Sequence, residues 1–344
     1  MTPFGEIGHR ARALLEGAVV WDNHGCMPLR ADESFLPQLE RYRRSGVDIV
    51  SLNVGYADVP LLEHLRVLSF MRQWITARPE HYRLIATVED IRLCKADGKL
   101  GITFDVEGMG PVQDDPSFVQ TFYELGVRWM LIAYNQNNKA GGGCLDVDGG
   151  LTTVGRAVID EMQRVGMVLC LSHAGARTVA EALDYARGPV IFSHSNPLGA
   201  WAHARNVSDE LLRACARKGG VVGINGIGMF LGPSAPLAER LFEHLRYVID
   251  LVGPEHVGLS LDYVFDSSDM DGLFEKHPEL IPKGMDASGA AAMVAPESVP
   301  EIVERLARTS LSDEEIRGVL GGNWLRVAEQ VWRPVGVSPA LGKA

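Results

Sequence analysis

A (β/α)₈ barrel is the fold this sequence predicts, and three observations predict it. Eight short apolar, β-branched runs recur along the chain, and segments of helical period separate them. Several of the runs are apolar at consecutive positions, as strands covered on both faces require. The length, 344 residues, suits one such barrel with modest insertions.

In chain order the runs are residues 18–21, 47–54, 100–106, 127–133, 167–171, 190–192, 220–224 and 257–261. The first leads into Asp22-Asn23-His24-Gly25-Cys26. A doubly wound open sheet, the alternative, often carries a glycine-rich phosphate loop at that point, and none is present. Helices are expected at 61–77, 153–165, 178–186, 210–218 and 236–252. Residues 266–296 have weak periodicity and carry Pro278, Pro282, Gly284 and Gly289, which predicts a long loop placed to act as a lid. Ser298-x-x-Glu301 and Ser312-x-x-Glu315 are capping-box signals for two C-terminal helices. Residues 333–344 read as a frayed tail, and no repeat or boundary divides 1–344 into more than one domain.

Lys plus Arg number 33 against 44 Asp plus Glu, a net charge of −11. So acidic a chain lacks the electrostatic footprint of a nucleic-acid or anionic-membrane binder. The five cysteines (Cys26, Cys94, Cys144, Cys170, Cys215) are an odd, scattered set without CxxC, which predicts a reducing compartment. The start, Met1 to Glu6, has neither the basic nor the apolar segment of a signal peptide. No apolar stretch reaches the ~18 residues of a membrane span. The expectation is a soluble, cytoplasmic protein.

Barrels gather their chemistry at the C-terminal ends of the strands. There stand His24 and Cys26 after the first run, Asn53 and Gly55 at the second, Glu107 after the third and Tyr134 after the fourth. His173, His194, Asn225 and Asp262 follow the fifth to eighth. A single histidine at a strand end is most often structural, but several His and Glu on one rim point to metal. Imidazoles suit zinc and similar ions, and a carboxylate can bridge two of them. Two such ions about 3.5–4 Å apart can share a hydroxide that is nucleophilic at neutral pH. The other histidines (His9, His64, His81, His203, His244, His256, His277) are expected to be mostly solvated, with His203 a candidate supporting residue. GxSxG, GxxxxGK[ST] and HExxH are all absent. Cys26 as a thiol nucleophile paired with His24 is disfavoured by the single intervening residue, and a shared metal explains the two better.

These residues resemble the membrane (renal) dipeptidase family, binuclear-zinc peptidases on an amidohydrolase-like (β/α)₈ barrel. The likeness runs from about Ile7 to Val331. It rests on Asp22-Asn23-His24-Gly25-Cys26-Met27-Pro28, Asp105-Val106-Glu107-Gly108, Gly126-Val127-Arg128, Tyr134-Asn135 and Leu171-Ser172-His173. Phe192-Ser193-His194-Ser195-Asn196, Arg205-Asn206-Val207, Gly220-Val221-Val222, His256-Val257-Gly258, Asp262-Tyr263 and Gly322-Asn323-Trp324-Leu325-Arg326-Val327 complete it.

The resemblance implies that His24 and the residue at position 26 ligate a first metal, that Glu107 bridges, and that His173 and His194 hold the second. It implies two zinc ions, a homodimer, and dipeptide substrates, with a D-residue often tolerated at the C-terminal position. Arg205, with Asn206 beside it, would meet the substrate carboxylate, and Asp262 would contact its amine and handle the proton. Three positions depart from the pattern. Cys26 replaces an aspartate of the first metal, Tyr134 replaces a histidine that polarises the scissile carbonyl, and Val264 replaces a second acidic residue. Cys26 leaves three possibilities open: a thiolate ligand with two metals, a neutral thiol with a weak first position, or a small buried residue.

The leading expectation is a metal-dependent dipeptidase. Its alternatives are an enzyme of the same superfamily acting on another small amide, ester or lactone, and a barrel that only binds a ligand.

Overall fold

The computed structural model describes residues 7–57, 59–233 and 236–334; the expectation for Met1–Glu6 and most of the tail expectation lie outside them. Ten parallel-paired strands form one sheet: β1 Trp21–Cys26, β2 Ile49–Tyr56, β3 Tyr82–Leu84, β4 Leu100–Glu107, β5 Val127–Leu131, β6 Val168–Cys170, β7 Val190–Phe192, β8 Val221–Ile224, β9 Val257–Leu259 and β10 Tyr263–Val264. Their order is β10-β1-β2-β4-β5-β6-β7-β8-β9, with β3 an added edge strand on β4.

The two ends of that order are one piece of chain. β9 pairs with β8 (Val222 opposite Val257), and β10 pairs with β1 (Gly25 opposite Tyr263). Between them, Leu261 N–H donates to Asp22 Oδ1 at 2.8 Å and Asp262 N–H to the His24 carbonyl at 3.1 Å. The eighth stave is therefore split at Ser260–Asp262, and the sheet closes on itself through it. Seven of the eight expected runs contain an observed barrel strand to within a residue or two.

The first is a correction. Residues 18–21 lead in, Ala18 serving as the C-cap of helix His9–Gly17, and the strand itself is Trp21–Cys26. Its polar stretch Asp22-Asn23-His24 has low strand propensity, yet the side chains are buried inside the barrel, where partners hold them.

The outer helices follow from apolar period and caps. Thr153–Val165 buries Val158, Ile159, Met162 and Val165, worth about 1.5–3 kcal/mol per side chain. It starts where Thr152 Oγ1 accepts from Gly155 N–H at 3.1 Å and stops at left-handed Gly166 (φ 90°). Leu61–Thr76, Ala176–Tyr185, Asp209–Arg217 and Leu237–Val252 match the remaining helix expectations.

Segment 266–296 is not a loop. It holds helices Ser267–Lys276 and Ala287–Ala291, capped by Asp266 and Asp286, and buries Met270, Phe274 and Ala290 against Ile227, Met229, Phe230 and Val264. Its prolines and glycines fall between these short helices, so the breakers mark joints.

Three C-terminal helices, Val299–Ala307, Asp313–Arg317 and Asn323–Val331, pack against the barrel. The Ser312–Glu315 capping box forms, whereas Ser298 ends a 3₁₀ turn (Pro296–Ser298) in helical geometry and caps nothing. Trp324 lies so close to β9 that a Cβ on Gly258 would stand 2.5 Å from its ring. No helix among the described residues is long and apolar enough to cross a membrane.

Candidate metal centre

Five strand ends deliver the expected residues to one place. His24 and Cys26 come from β1 and Glu107 from the last position of β4. His173 and His194 follow β6 and β7, and Asp262 sits in the break of the eighth stave. All but the half-buried Cys26 are buried. His173 (φ 64°), Asp262 (φ 54°) and Asn135 (φ 60°) adopt the left-handed backbone that costs a non-glycine residue about 1–2 kcal/mol. Three such residues at one site mark a place where aim outweighs local comfort.

Each imidazole is held by its Nδ1 edge. Asp105 faces His24 Nδ1 at 3.3 Å, Asn135 Oδ1 lies 2.7 Å from His173 Nδ1, and Ser193 Oγ lies 2.8 Å from His194 Nδ1. A carboxylate or amide oxygen only accepts, so His24 and His173, in the neutral form that binds a cation, carry their protons on Nδ1 and present bare Nε2 lone pairs. All three Nε2 atoms converge on Glu107 Oε1, at 3.5 Å (His24), 3.3 Å (His173) and 3.1 Å (His194). Glu107 Oε1 itself is buried with no hydrogen-bond partner, and His173 Nε2 lies only 2.8 Å from His194 Nε2. Facing lone pairs and an orphaned carboxylate oxygen call for a cation between them.

The electrostatics agree. Burial, only partly offset by His24, pushes Glu107 up to about 8. His24 is disfavoured as a cation by burial, yet Asp105 and Glu107 drive its pKa up to about 10. Burial, with Arg205 and His24 nearby, holds His173 and His194 well below the usual imidazole range. Burial and Asp262 push the Cys26 thiol well above its usual value. Without a metal, several anionic donors compete for few protons. The donor set fits a divalent ion, which would displace those protons.

The substrate-side residues border this cluster. Arg205 is a buried cation whose Nη1 donates to Ser195 Oγ at 3.2 Å and Nη2 to the His194 carbonyl at 3.0 Å, while its Nε has no partner. It forms no ion pair among the described residues, although Glu107 lies near enough to feel its charge. Asn206 spends its amide donors on the Trp201 and Phe230 carbonyls (2.8 and 3.0 Å), which fixes the loop that carries Arg205. His203 Nδ1 accepts from Arg205 N–H at 3.1 Å, the supporting place expected of it. Tyr134 stacks on His173 with ring centroids 4.3 Å apart and meets Tyr56 at 5.1 Å. Burial and Glu107 raise its phenol well above the usual range, so it is a neutral donor. His64 and His244, expected to be solvated, are fully buried on inward helix faces.

Of the partners that orient the site, the sequence placed Asn53 and Asn225 at strand ends without a role, and gave none to Asp105 or Ser51. Asp105 accepts from Ser51 Oγ (2.7 Å) and Asn53 Nδ2 (3.2 Å), and Asn225 Nδ2 donates to Asp262 Oδ2 at 2.5 Å. Asp105 lies two residues before Glu107 on β4, and the period-two rule that puts both on one strand face could have found it.

A family model described as membrane dipeptidase (peptidase family M19) matches residues 9–334. A Schizosaccharomyces pombe protein named an uncharacterized dipeptidase is 34% identical over 239 residues, 67% of this chain and 53% of its own length. Dipeptidase verJ of Clonostachys rogersoniana is 30% identical over 237 residues, 68% of this chain and 56% of its own. The chain spans about half the length of the curated relatives it matches. Among solved structures, an amidohydrolase from Pseudomonas aeruginosa superposes with a TM-score of 0.83 at 26% identity, covering 94% of this chain and 99% of that one. A metallopeptidase from Rhodobacter sphaeroides, liganded with a phosphinate mimic of the dipeptide L-Ala-D-Ala, shares the fold at a TM-score of 0.72 and 20% identity, covering 92% and 99%.

Proposed function

The chain belongs to the membrane dipeptidase family, and on that premise we propose that it is a metal-dependent dipeptidase, cleaving dipeptides that carry a free amine and a free carboxylate. The observation that carries this reading is the convergence of three imidazole Nε2 atoms on the orphaned Glu107 oxygen, beside a buried guanidinium without an ion-pair partner. The dipeptide mimic held by the Rhodobacter protein supports the substrate class, including a D-residue at the C-terminal position.

His24 and Cys26 would hold one ion, His173 and His194 a second, with Glu107 between them. A divalent ion bound there would supply Lewis-acid polarisation of the scissile carbonyl and a water acidic enough to act as nucleophile at neutral pH. Asp105, Asn135 and Ser193 keep the three imidazoles aimed. Arg205 binds the substrate carboxylate through its free Nε edge, away from the reacting bond. Asn206 holds the Arg205 loop in place. Asp262, fixed by Asn225, receives the proton of the attacking water and returns it to the leaving nitrogen. Tyr134 donates its phenol proton toward the carbonyl oxygen while its ring braces His173.

The same reading makes zinc the ion, at two per chain, and takes the protein as a cytoplasmic homodimer. Donor chemistry supports the zinc, and family likeness the dimer. The test is hydrolysis of a dipeptide panel by zinc-loaded protein, with and without a chelator. Chelator-sensitive release of amino acids is expected. Cleavage of esters or lactones but of no dipeptide would overturn the proposal.

A further inference from the structure

The loop between β5 and helix Thr153–Val165 carries Gly141-Gly142-Gly143, a cluster to which the proposed function gives no part. Just beyond it, two consecutive N–H groups reach back to the metal centre. Cys144 N–H donates to the His173 carbonyl at 2.9 Å, and Leu145 N–H to the Asn135 carbonyl at 2.8 Å. His173 and Asn135 are two of the left-handed residues at the site, and their side chains meet through Nδ1 and Oδ1 at 2.7 Å. The loop therefore grips the backbones of both partners in one ring contact. Gly175 N–H adds a bond to the Gly142 carbonyl at 2.9 Å, beside an antiparallel bridge between Gly143 and Ala174.

The half-buried Asp148 holds this loop. Its Oδ2 accepts from Thr178 N–H at 2.9 Å, and its Oδ1 from Thr178 Oγ1 at 2.6 Å and Gly150 N–H at 2.8 Å. Thr178 Oγ1 in turn accepts from Gly142 N–H at 2.8 Å. Thr178 lies in the first turn of helix Ala176–Tyr185, whose N-cap, Gly175, has no side chain to offer. Asp148 supplies the missing cap from 30 residues away. The fit requires glycine: a Cβ on Gly142 would collide with Asp148 Oδ1, and one on Gly175 with Oδ2.

We propose that Asp148 is a positioning residue for His173, acting through Thr178, Gly142 and the paired N–H groups of Cys144 and Leu145. The left-handed turn at His173 is unfavourable for any residue with a Cβ, so something must hold it. Asn135 holds the ring and the loop holds the backbone; Asp148 fastens the loop to the helix that begins just after His173. Loosening that seat should let the turn relax and the imidazole swing, with every ligand still present. The inference rests on His173 as a metal ligand and deepens that reading, since part of the aim of the imidazole comes from a carboxylate outside the cluster.

Zinc is the probe, titrated into the metal-free full chain while histidine ring signals are followed by NMR. In the wild type, Asn135 should protect the His173 Nδ1–H proton from exchange, and zinc should move the His173 signal. Asp148→Asn keeps the volume, but one N–H of the seat loses its acceptor whichever way the amide lies. It should speed exchange of the Nδ1 proton and raise the zinc midpoint of the His173 signal about 10-fold, the low end for losing a partner directly behind a ligand histidine. Thr178→Val deletes the acceptor of Gly142 N–H and should do the same, whereas Thr178→Ser should keep both readings at wild-type values. Ser312→Ala removes a distant cap and controls for general loss of stability. Thermal melting checks folding; should Asp148→Asn fail it, Thr178→Val carries the test. Wild-type exchange and midpoint in the folded variant would overturn the proposal, as would equal changes in Ser312→Ala. If zinc moves the His173 signal in no protein, the metal reading fails, while faster exchange in Asp148→Asn would still uphold the clamp.

Discussion

Asp105→Asn should weaken zinc binding by about 10–100-fold while leaving the barrel folded. Asp105 is 0% exposed, and both its oxygens lie 3.3 Å from His24 Nδ1. Its acceptor-only carboxylate keeps the imidazole proton on Nδ1 and the Nε2 lone pair toward the centre. Asparagine preserves the volume but can turn an N–H toward Nδ1, which drives the proton to Nε2, where the cation must bind. Loss of such a carboxylate behind a ligand histidine costs about 1.4–2.7 kcal/mol, the free-energy equivalent of that 10–100-fold. Asp105→Ala is a different perturbation. It strands His24 Nδ1, Ser51 Oγ and Asn53 Nδ2 without their acceptor. At about 1–3 kcal/mol for each unsatisfied buried group, that is about 3–9 kcal/mol, comparable with the whole stability of a typical domain. The asparagine variant is therefore the informative one. The assay is competition for zinc against a chromophoric chelator, with melting of the metal-free variant as the folding control. NMR should also show the His24 pKa falling from about 10. An unchanged zinc affinity in folded Asp105→Asn would refute the claim that Asp105 sets the tautomer of His24.

Arg205→Ala should raise KM at least about 10-fold for dipeptides with a free carboxylate and change kcat less, because the lost contact lies away from the reacting bond. A C-terminally amidated substrate should not notice the change, and an unchanged KM for the free acid would discard the role. The metal-free protein should lose thermal stability as pH rises. His24, raised from 6.5 to about 10, and Glu107, raised from 4.5 to about 8, favour the folded state fully below their unfolded values and lose that contribution as pH climbs through the folded ones. Scanning fluorimetry with chelator should show Tm declining between about pH 6 and 10, with zinc flattening the curve; a rising Tm in chelator would contradict the sign. Ser312→Ala should cost about 1 kcal/mol and Ser298→Ala under about 0.5 kcal/mol, read as melting shifts, because only Ser312 caps a helix. Equal losses would count against the cap geometry.

The sequence disclosed the centre wherever a ligand follows an apolar run. His173 and His194 stand just beyond short buried strands and Glu107 closes one, so strand ends alone bring them together. Position in the chain says less about what stands behind a ligand. Asp105 and Asn135 meet their histidines across 81 and 38 residues of chain, and only the barrel's register brings them together, whereas Ser193 stands next to His194 in the sequence. Asp22-Asn23-His24 read as the end of a strand because polar residues suggest a turn, whereas inside this barrel they are the strand. Segment 266–296 misled in the opposite way. Its prolines and glycines outweighed the two aspartate caps, Asp266 and Asp286, that announce its helices. Ser298 shows the limit of the capping pattern, since a preceding 3₁₀ turn removed the backbone geometry it needs.

The split eighth stave also sets a schedule for the growing chain. Cys26 and Asp262 are 236 residues apart, yet they touch across the seam where β1 meets β10. At a synthesis rate of about 5–20 residues per second, roughly 10–50 s separate the appearance of one from that of the other. Throughout that interval β1 has one unpaired edge, and His24 and Cys26 lack the Asp262 carboxylate. Loop closure over such a span is entropically late, so the seam is expected to zip after the interior strands have paired with their sequence neighbours. The contact of Cys26 with Asp262 would thus be a product of the last folding step. A nascent chain stalled before Asp262 would hold every other residue of the centre, and would leave the edge of β1 open.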